Sequence, residues 1–222
     1  MKYQINIDPR ISLSEGDKQM EIPSFVKFTG EFNEESAAKF RAELNMAESH
    51  ARASKQDIIP IIIDSFGGEI YSLLAMIDAI DACEIPVATI VEGKAMSCGA
   101  VLFTMGAEGH RYMGSNATIM IHDASSMAWG KVEEMKIGVA ETERLNKLIF
   151  ERMAKNCGHK KAYFEDLISK KKHQDWFLNA KEAKSHNLAN HTRLPVMQVD
   201  IEMRHSFGLP TSSKKNPPQS QE

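Results

Sequence analysis

The sequence predicts an α/β fold built on a largely parallel sheet, and three observations carry that prediction. IIPIII (58–63) and IPVATIV (85–91) are apolar runs too short for helices and rich in β-branched residues, as strands covered on both faces are. Between them Ile70, Leu73, Leu74, Ile77 and Ile80 recur at the spacing of one helical face, so the segment reads as a strand–helix–strand crossover. The chain has 222 residues, 42% of them hydrophobic and 26% charged. That is the composition of an ordinary globular protein, and at this length roughly 70% of the extended-chain surface can be buried in one core.

Taken in order, the segment up to about Ser24 alternates loosely and fits either a strand or an arm. Phe25 to Thr29 reads as a short strand. Gly30 then leads to Asn33, a helix N-cap with Glu34 and Glu35 in the first turn and Phe40, Leu44 and Ala47 on one face. Pro60 places the start of the next strand beside it, or its missing N–H outside the ladder. DSFGGE (64–69) is expected to be a tight turn between strand and helix. After the second buried strand, Gly93 opens GKAMSCGAVLFTMGA, a turn feeding a closely packed helix from about Ser97 to Met105. HRYMG and ATIMIHD supply further strands. Residues 131–156 form the longest helical pattern, with Val132, Met135, Val139, Leu145, Leu148, Ile149 and Met153 on one face, charges on the other, and Gly158 as the stop. A helix from Ala162 to Ser169, a basic turn, a brief extended piece and a closing helix from about Ala180 complete the domain, which is expected to span residues 25–203. Beyond Arg204 the chain turns polar and proline-rich and is expected to be a disordered tail, residues 204–222.

Several function classes are excluded by charge and composition. With 27 basic and 30 acidic residues the formal charge is −3, which leaves no broad field for gripping nucleic acid or an anionic membrane. Cys83, Cys98 and Cys157 form no CxxC pair and no His/Cys cluster, and the histidines show no HxxxH or HExxH spacing, so neither a disulfide scaffold nor a metal site is expected. No cofactor is expected either, since the glycine pair precedes no GK[ST] and lacks GxGxxG spacing. The first residues hold no apolar h-region, and no run approaches about 18 apolar residues; a soluble, cytoplasmic protein is expected.

Three features carry candidate chemistry. Gly67 and Gly68 lie at the carboxyl end of a sheet strand, where open α/β sheets place ligands and where backbone N–H groups are exposed. Ser97, within AMSCGA, sits just after a strand and at a helix start, beside the N–H of Cys98 and over the positive end of the helix. His122 ends the apolar strand ATIMIH, and strand ends are where a sheet displays side chains. A serine nucleophile needs a base for its proton, a carboxylate to fix that base, and donors for the tetrahedral oxygen. Asp64, Asp123, Asp166 and Asp175 are candidate carboxylates, and composition and spacing do not choose among them.

From about Ile58 to Leu188 the sequence resembles ClpP, the proteolytic subunit of the Clp protease, and its phage and plasmid relatives. DSFGGE resembles that family's NSPGG turn, GKAMSCGA its GQAASMGA nucleophile segment, TIMIHD its VMIHQP strand, and DWFLNAKEAKSHNL its DRFLSAPEAVEYGL. Four motifs in the right order with compatible gaps are more specific than any one of them. The resemblance implies Ser97 as nucleophile, His122 as general base, Asp175 as the orienting carboxylate, and the N–H groups of Gly68 and Cys98 as the oxyanion hole. It also implies a crotonase-like spiral of ββα units with the helix of residues 131–156 protruding as a handle. Stacked homo-oligomeric rings would enclose a chamber, with unfolded polypeptide as substrate and an AAA+ unfoldase as partner. Phe66, Cys98 and Asp64 replace the family's Pro, Met and Asn. Residues 1–24 and the tail after Arg204 do not match, which weighs against unfoldase docking and points toward phage-type members acting on capsid or scaffold proteins during head maturation. The rival readings are a crotonase-type acyl-CoA enzyme, which needs no Ser/His/Asp set, and a non-catalytic ring subunit of the same fold.

Overall fold

The structure, a computed structural model, describes residues 2–5, 23–127 and 129–199. β1 (Lys2–Ile5) and β8 (Val196–Val199) pair in parallel as a separate two-stranded sheet. The main sheet runs β2 (Val26–Phe32), β3 (Ile59–Gly68), β4 (Val87–Met96), β6 (Thr118–Ile121), β7 (Trp176–Leu178), with β5 (Arg111–Met113) on the first half of β4. All its pairings are parallel except β6 with β7, so the fold is mixed α/β with a mainly parallel sheet. Residues 6–22, within the expected arm, and the polar tail after Arg204 lie outside the described residues.

The first helix, α1 (Glu34–Ser54), starts where its sequence says it should. Asn33 accepts the Ser36 N–H at 2.8 Å and the Ser36 hydroxyl accepts the Asn33 N–H at 3.0 Å, a reciprocal cap that satisfies two otherwise orphaned donors. Ala37, Phe40, Leu44, Ala47 and Ala51 form its buried stripe, and Phe40 meets Phe28 of β2 edge-on at 6.1 Å. Lys55, left-handed at φ 57, ends it. Gln56 then bonds both Ser24 and the Ile58 carbonyl, tying the entrance of β2 to that of β3.

β3 lies between β2 and β4 with Ile59, Ile61 and Ile63 fully buried, which explains its unbroken apolar run. Pro60 fits because the Ile59 N–H points to the Pro86 carbonyl, so by alternation the proline faces the β2 side, where pairing begins only at Ile61.

Two expected turns are strand instead. β3 continues through DSFGG to Gly68 before α2 (Ile70–Ala82), and β4 continues through Gly93 to Met96 before α3 (Cys98–Phe103). In β4 the glycine marks a bend within the strand: Thr89–Val91 pair with β5, Lys94–Met96 pair with β6, and Gly93 at φ 88 lies between the two partners. β2 likewise runs past Thr29 to Phe32, with a register irregularity at Gly30. α1 and α2 pack on each other and on β2, while α3 packs on β3, β4 and β6.

In α4 (Val132–Asn156) only the second half is built into the core. Leu145, Ile149, Phe150, Met153 and Ala154 are buried, whereas Val132, Ile137, Val139 and Leu148 are exposed. The single apolar face expected for the whole helix thus divides in two. Gly158 at φ 71 follows its end, and α5 (Tyr163–Lys170) and α6 (Ala180–Ser185) close the chain's packed part. Arg111 of β5, 1% exposed, gathers these ends by donating to the carbonyls of Gly106, Asn156, Asn187 and Leu188.

Candidate active site

The carboxyl ends of β3, β4 and β6 and the entry to β7 meet at one place. Ser97 is the single residue between β4 and α3, at φ 53 and ψ −120, a backbone conformation that side-chain-bearing residues rarely adopt. Its N–H donates to the Met120 carbonyl at 2.8 Å, which locks the bend to β6 two residues before His122. His122 Nε2 lies 2.8 Å from Ser97 Oγ, within hydrogen-bond reach.

The glycine pair makes room for this bend. A Cβ on Gly67, at φ 109, would sit 2.7 Å from Ser97 Cβ and 3.0 Å from the Met96 carbonyl oxygen. One on Gly68, at φ 144, would sit 2.4 Å from the Phe32 carbonyl oxygen. Ser65, buried beneath them, donates to the Gly30 carbonyl and accepts the Gly67 N–H at 3.0 Å, holding the glycine segment between β2 and Ser97.

Asp175 stands just outside β7. The antiparallel register sets Ile121 opposite Trp176, so His122 and Asp175 are the next facing positions beyond the last rung. Their side chains remain apart: His122 Nδ1 to Asp175 Oδ1 is 4.0 Å, longer than a hydrogen bond, with Asp175 58% exposed. The other candidate carboxylates make no hydrogen bond or ion pair with His122 among the described residues. Asp64 pairs with Lys94 at 2.7 Å, and Asp166 lies in the first turn of α5. Asp123 uses one oxygen for Asn146 Nδ2 at 2.9 Å and the other for His173 Nδ1 at 2.7 Å.

Cys98, beside Ser97, is buried and its thiol points to the Gly68 carbonyl at 3.2 Å. Burial pushes that thiol up to about 11, against the opposing pull of the Gly68 contact, so it stays protonated at neutral pH and is a poor nucleophile. Beside Ser97 and His122 lies a small cleft whose apolar wall is formed by Ile70, Val101, Ile121, Ile149, Phe150 and Met153. Phe66, on the strand before the glycine pair, is exposed, and Lys94 sits 4.3 Å over its ring.

The structure therefore brings Ser97, His122, Gly68 and Cys98 together and sets Asp175 opposite His122 without contact. The sequence does not single out Ser65, Asn146 or His173, since each has a partner far away in the chain: Ser65 and Gly30 are 35 residues apart, Asn146 and Asp123 are 23, and His173 and Asp123 are 50. No helix among the described residues is long and apolar enough to cross a membrane. The family model described as Clp protease matches residues 18–193, most of the 222 residues, and the chain belongs to the Clp protease family of peptidases.

Proposed function

We propose that this protein is a serine endopeptidase acting through an acyl-enzyme at Ser97. The observation that carries this reading is the 2.8 Å approach of His122 Nε2 to the hydroxyl of a serine held on a strained strand-to-helix bend. Ser97 Oγ attacks the scissile carbonyl carbon while its proton passes to His122 Nε2. The resulting oxyanion is held by the N–H groups of Gly68 and Cys98. Two features support that assignment. Glu69 N–H turns toward the Phe32 carbonyl, so strand alternation directs the Gly68 amide to the Ser97 side, and the Cys98 N–H is in the first turn of α3, ahead of any helical acceptor. His122 then returns the proton to the leaving amine, and water, deprotonated by the same imidazole, cleaves the ester. Asp175 orients the imidazole, and the 4.0 Å gap closes to hydrogen-bond distance in the reacting complex.

The apolar cleft wall suits an apolar side chain next to the scissile bond. Substrates are unfolded or scaffold-type polypeptides, cleaved inside stacked homo-oligomeric rings of crotonase-like spiral subunits. The exposed apolar residues on the first half of α4 support its role as the handle between such rings. A phage-type role in head maturation rests on the departures at Asp64, Phe66 and Cys98 and on the terminal segments.

A fluorophosphonate probe tests the chemistry. It is expected to label wild-type protein at Ser97, and Ser97→Ala is expected to lose both labelling and cleavage of unfolded protein while assembling normally. Cleavage by Ser97→Ala at the wild-type rate refutes the assignment.

A further inference from the structure

We propose that Asp123 and His173 form a clamp that sets the separation of His122 and Asp175, making both of them positioning residues for the peptidase; the inference rests on the triad proposed above. Asp123 directly follows His122, and His173 precedes Asp175 by two residues. His173 Nδ1 and Asp123 Oδ2 are 2.7 Å apart, while Asn146 of α4 donates to Asp123 Oδ1 at 2.9 Å and accepts the Ala124 N–H at 2.8 Å. One oxygen of a single carboxylate thus holds the His122 segment against α4, and the other holds the turn that carries Asp175.

The clamp lies where the backbone ladder gives out. The last rung of β6 and β7 is Ile121 with Trp176, so neither His122 nor Asp175 is fixed by strand pairing, and their own side chains are 4.0 Å apart. On the turn, Lys172 and His173 are both left-handed at φ 57, an unfavourable pair for residues with side chains, and the Asp123 contact helps hold them there. The His173 side chain is 66% exposed, so the contact adds little to overall stability. Its effect is on geometry, and a displacement of about 1 Å in a catalytic group lowers a rate by up to about 10²-fold.

Asp123→Ala, His173→Ala and the double variant of the full chain, assayed with a fluorogenic peptide, test the clamp. Each single variant is expected to lower kcat about tenfold with KM and melting temperature unchanged, and the double variant to be no worse than either. His173→Asn, which keeps a donor near the place of Nδ1, is expected to restore most of the rate. Wild-type kcat in both single variants overturns the clamp, as does a double variant whose losses multiply. If wild-type protein fails to label at Ser97, it is the triad that falls, and the clamp is then judged by imidazole NMR of His122. Ring resonances shifted or broadened by His173→Ala support it; unchanged resonances overturn it.

Discussion

At Gly67 the absence of one carbon decides whether the site can form. With φ at 109 and Ser97 Cβ 2.7 Å from where a Gly67 Cβ would lie, Gly67→Ala forces the serine bend outward as well as straining the strand. Labelling of Ser97 by a fluorophosphonate is expected to slow by about 10²-fold, measured as a second-order rate. Asp175→Asn tests the carboxylate: kcat is expected to fall about 10²- to 10⁴-fold, because an amide can stabilise the wrong imidazole tautomer, while Ser97 stays in place. Full turnover in that variant, read in a peptide assay, removes Asp175 from the mechanism. Ser97 and His122 stand out in the sequence because each sits inside a short motif beside a strand end, whereas Asp175 is one of four candidate carboxylates that composition and spacing do not separate. The Ser65 and Asp123–His173 contacts are not legible there, because a hydrogen bond across 35 or 50 residues leaves no local pattern.

At the scale of elements, local chemistry predicted starts better than ends. Asn33 with Ser36 marks α1 unambiguously, since the cap is made by residues three apart. DSFGG and GKAM carry the signal of a turn because glycine usually breaks a strand, yet both remain strand because neighbouring strands continue to supply partners: Phe32 faces Gly68 and Met96 faces Met120. Arg111 shows the same dependence on neighbours. Among the described residues its buried guanidinium meets no carboxylate, and burial lowers its pKa, yet four carbonyls from three segments satisfy it, including one from the last turn of α4, whose end favours a cation. Arg111→Met leaves those carbonyls desolvated and unpaired, and is expected to lower unfolding stability by about 3 kcal/mol or more in a urea titration. A loss below about 0.5 kcal/mol shows that water replaces the guanidinium without penalty.

For the whole molecule, α4 divides into a half packed into the core and a half whose apolar residues are exposed. Val132, Ile137 and Val139 are at least half exposed, Val132 and Val139 lining a groove with Met135 and Ala140, while the second half is anchored through Leu145 to Ala154. In the proposed assembly this exposed face is covered by a second copy. Ile137→Asp combined with Val139→Asp is therefore expected to reduce the sedimenting species from stacked to single rings with the helical circular dichroism retained. A double variant that sediments as the wild type assigns the groove no part in assembly.

The sequence by itself determined the α/β class, the strand–helix–strand crossover and the identity of the chemically competent side chains, because apolar periodicity and short motifs are local properties of a chain. Tertiary structure alone decided which carboxylate faces His122. Asp64, Asp123, Asp166 and Asp175 are equivalent as letters, and only the antiparallel register of Ile121 with Trp176 places one of them opposite the imidazole, while Lys94 engages Asp64 and Asn146 and His173 engage Asp123. It also decided that Gly67 serves close approach to Ser97 and Gly68 close approach to Phe32, rather than a turn, since the distance between strand ends is set by the sheet as a whole.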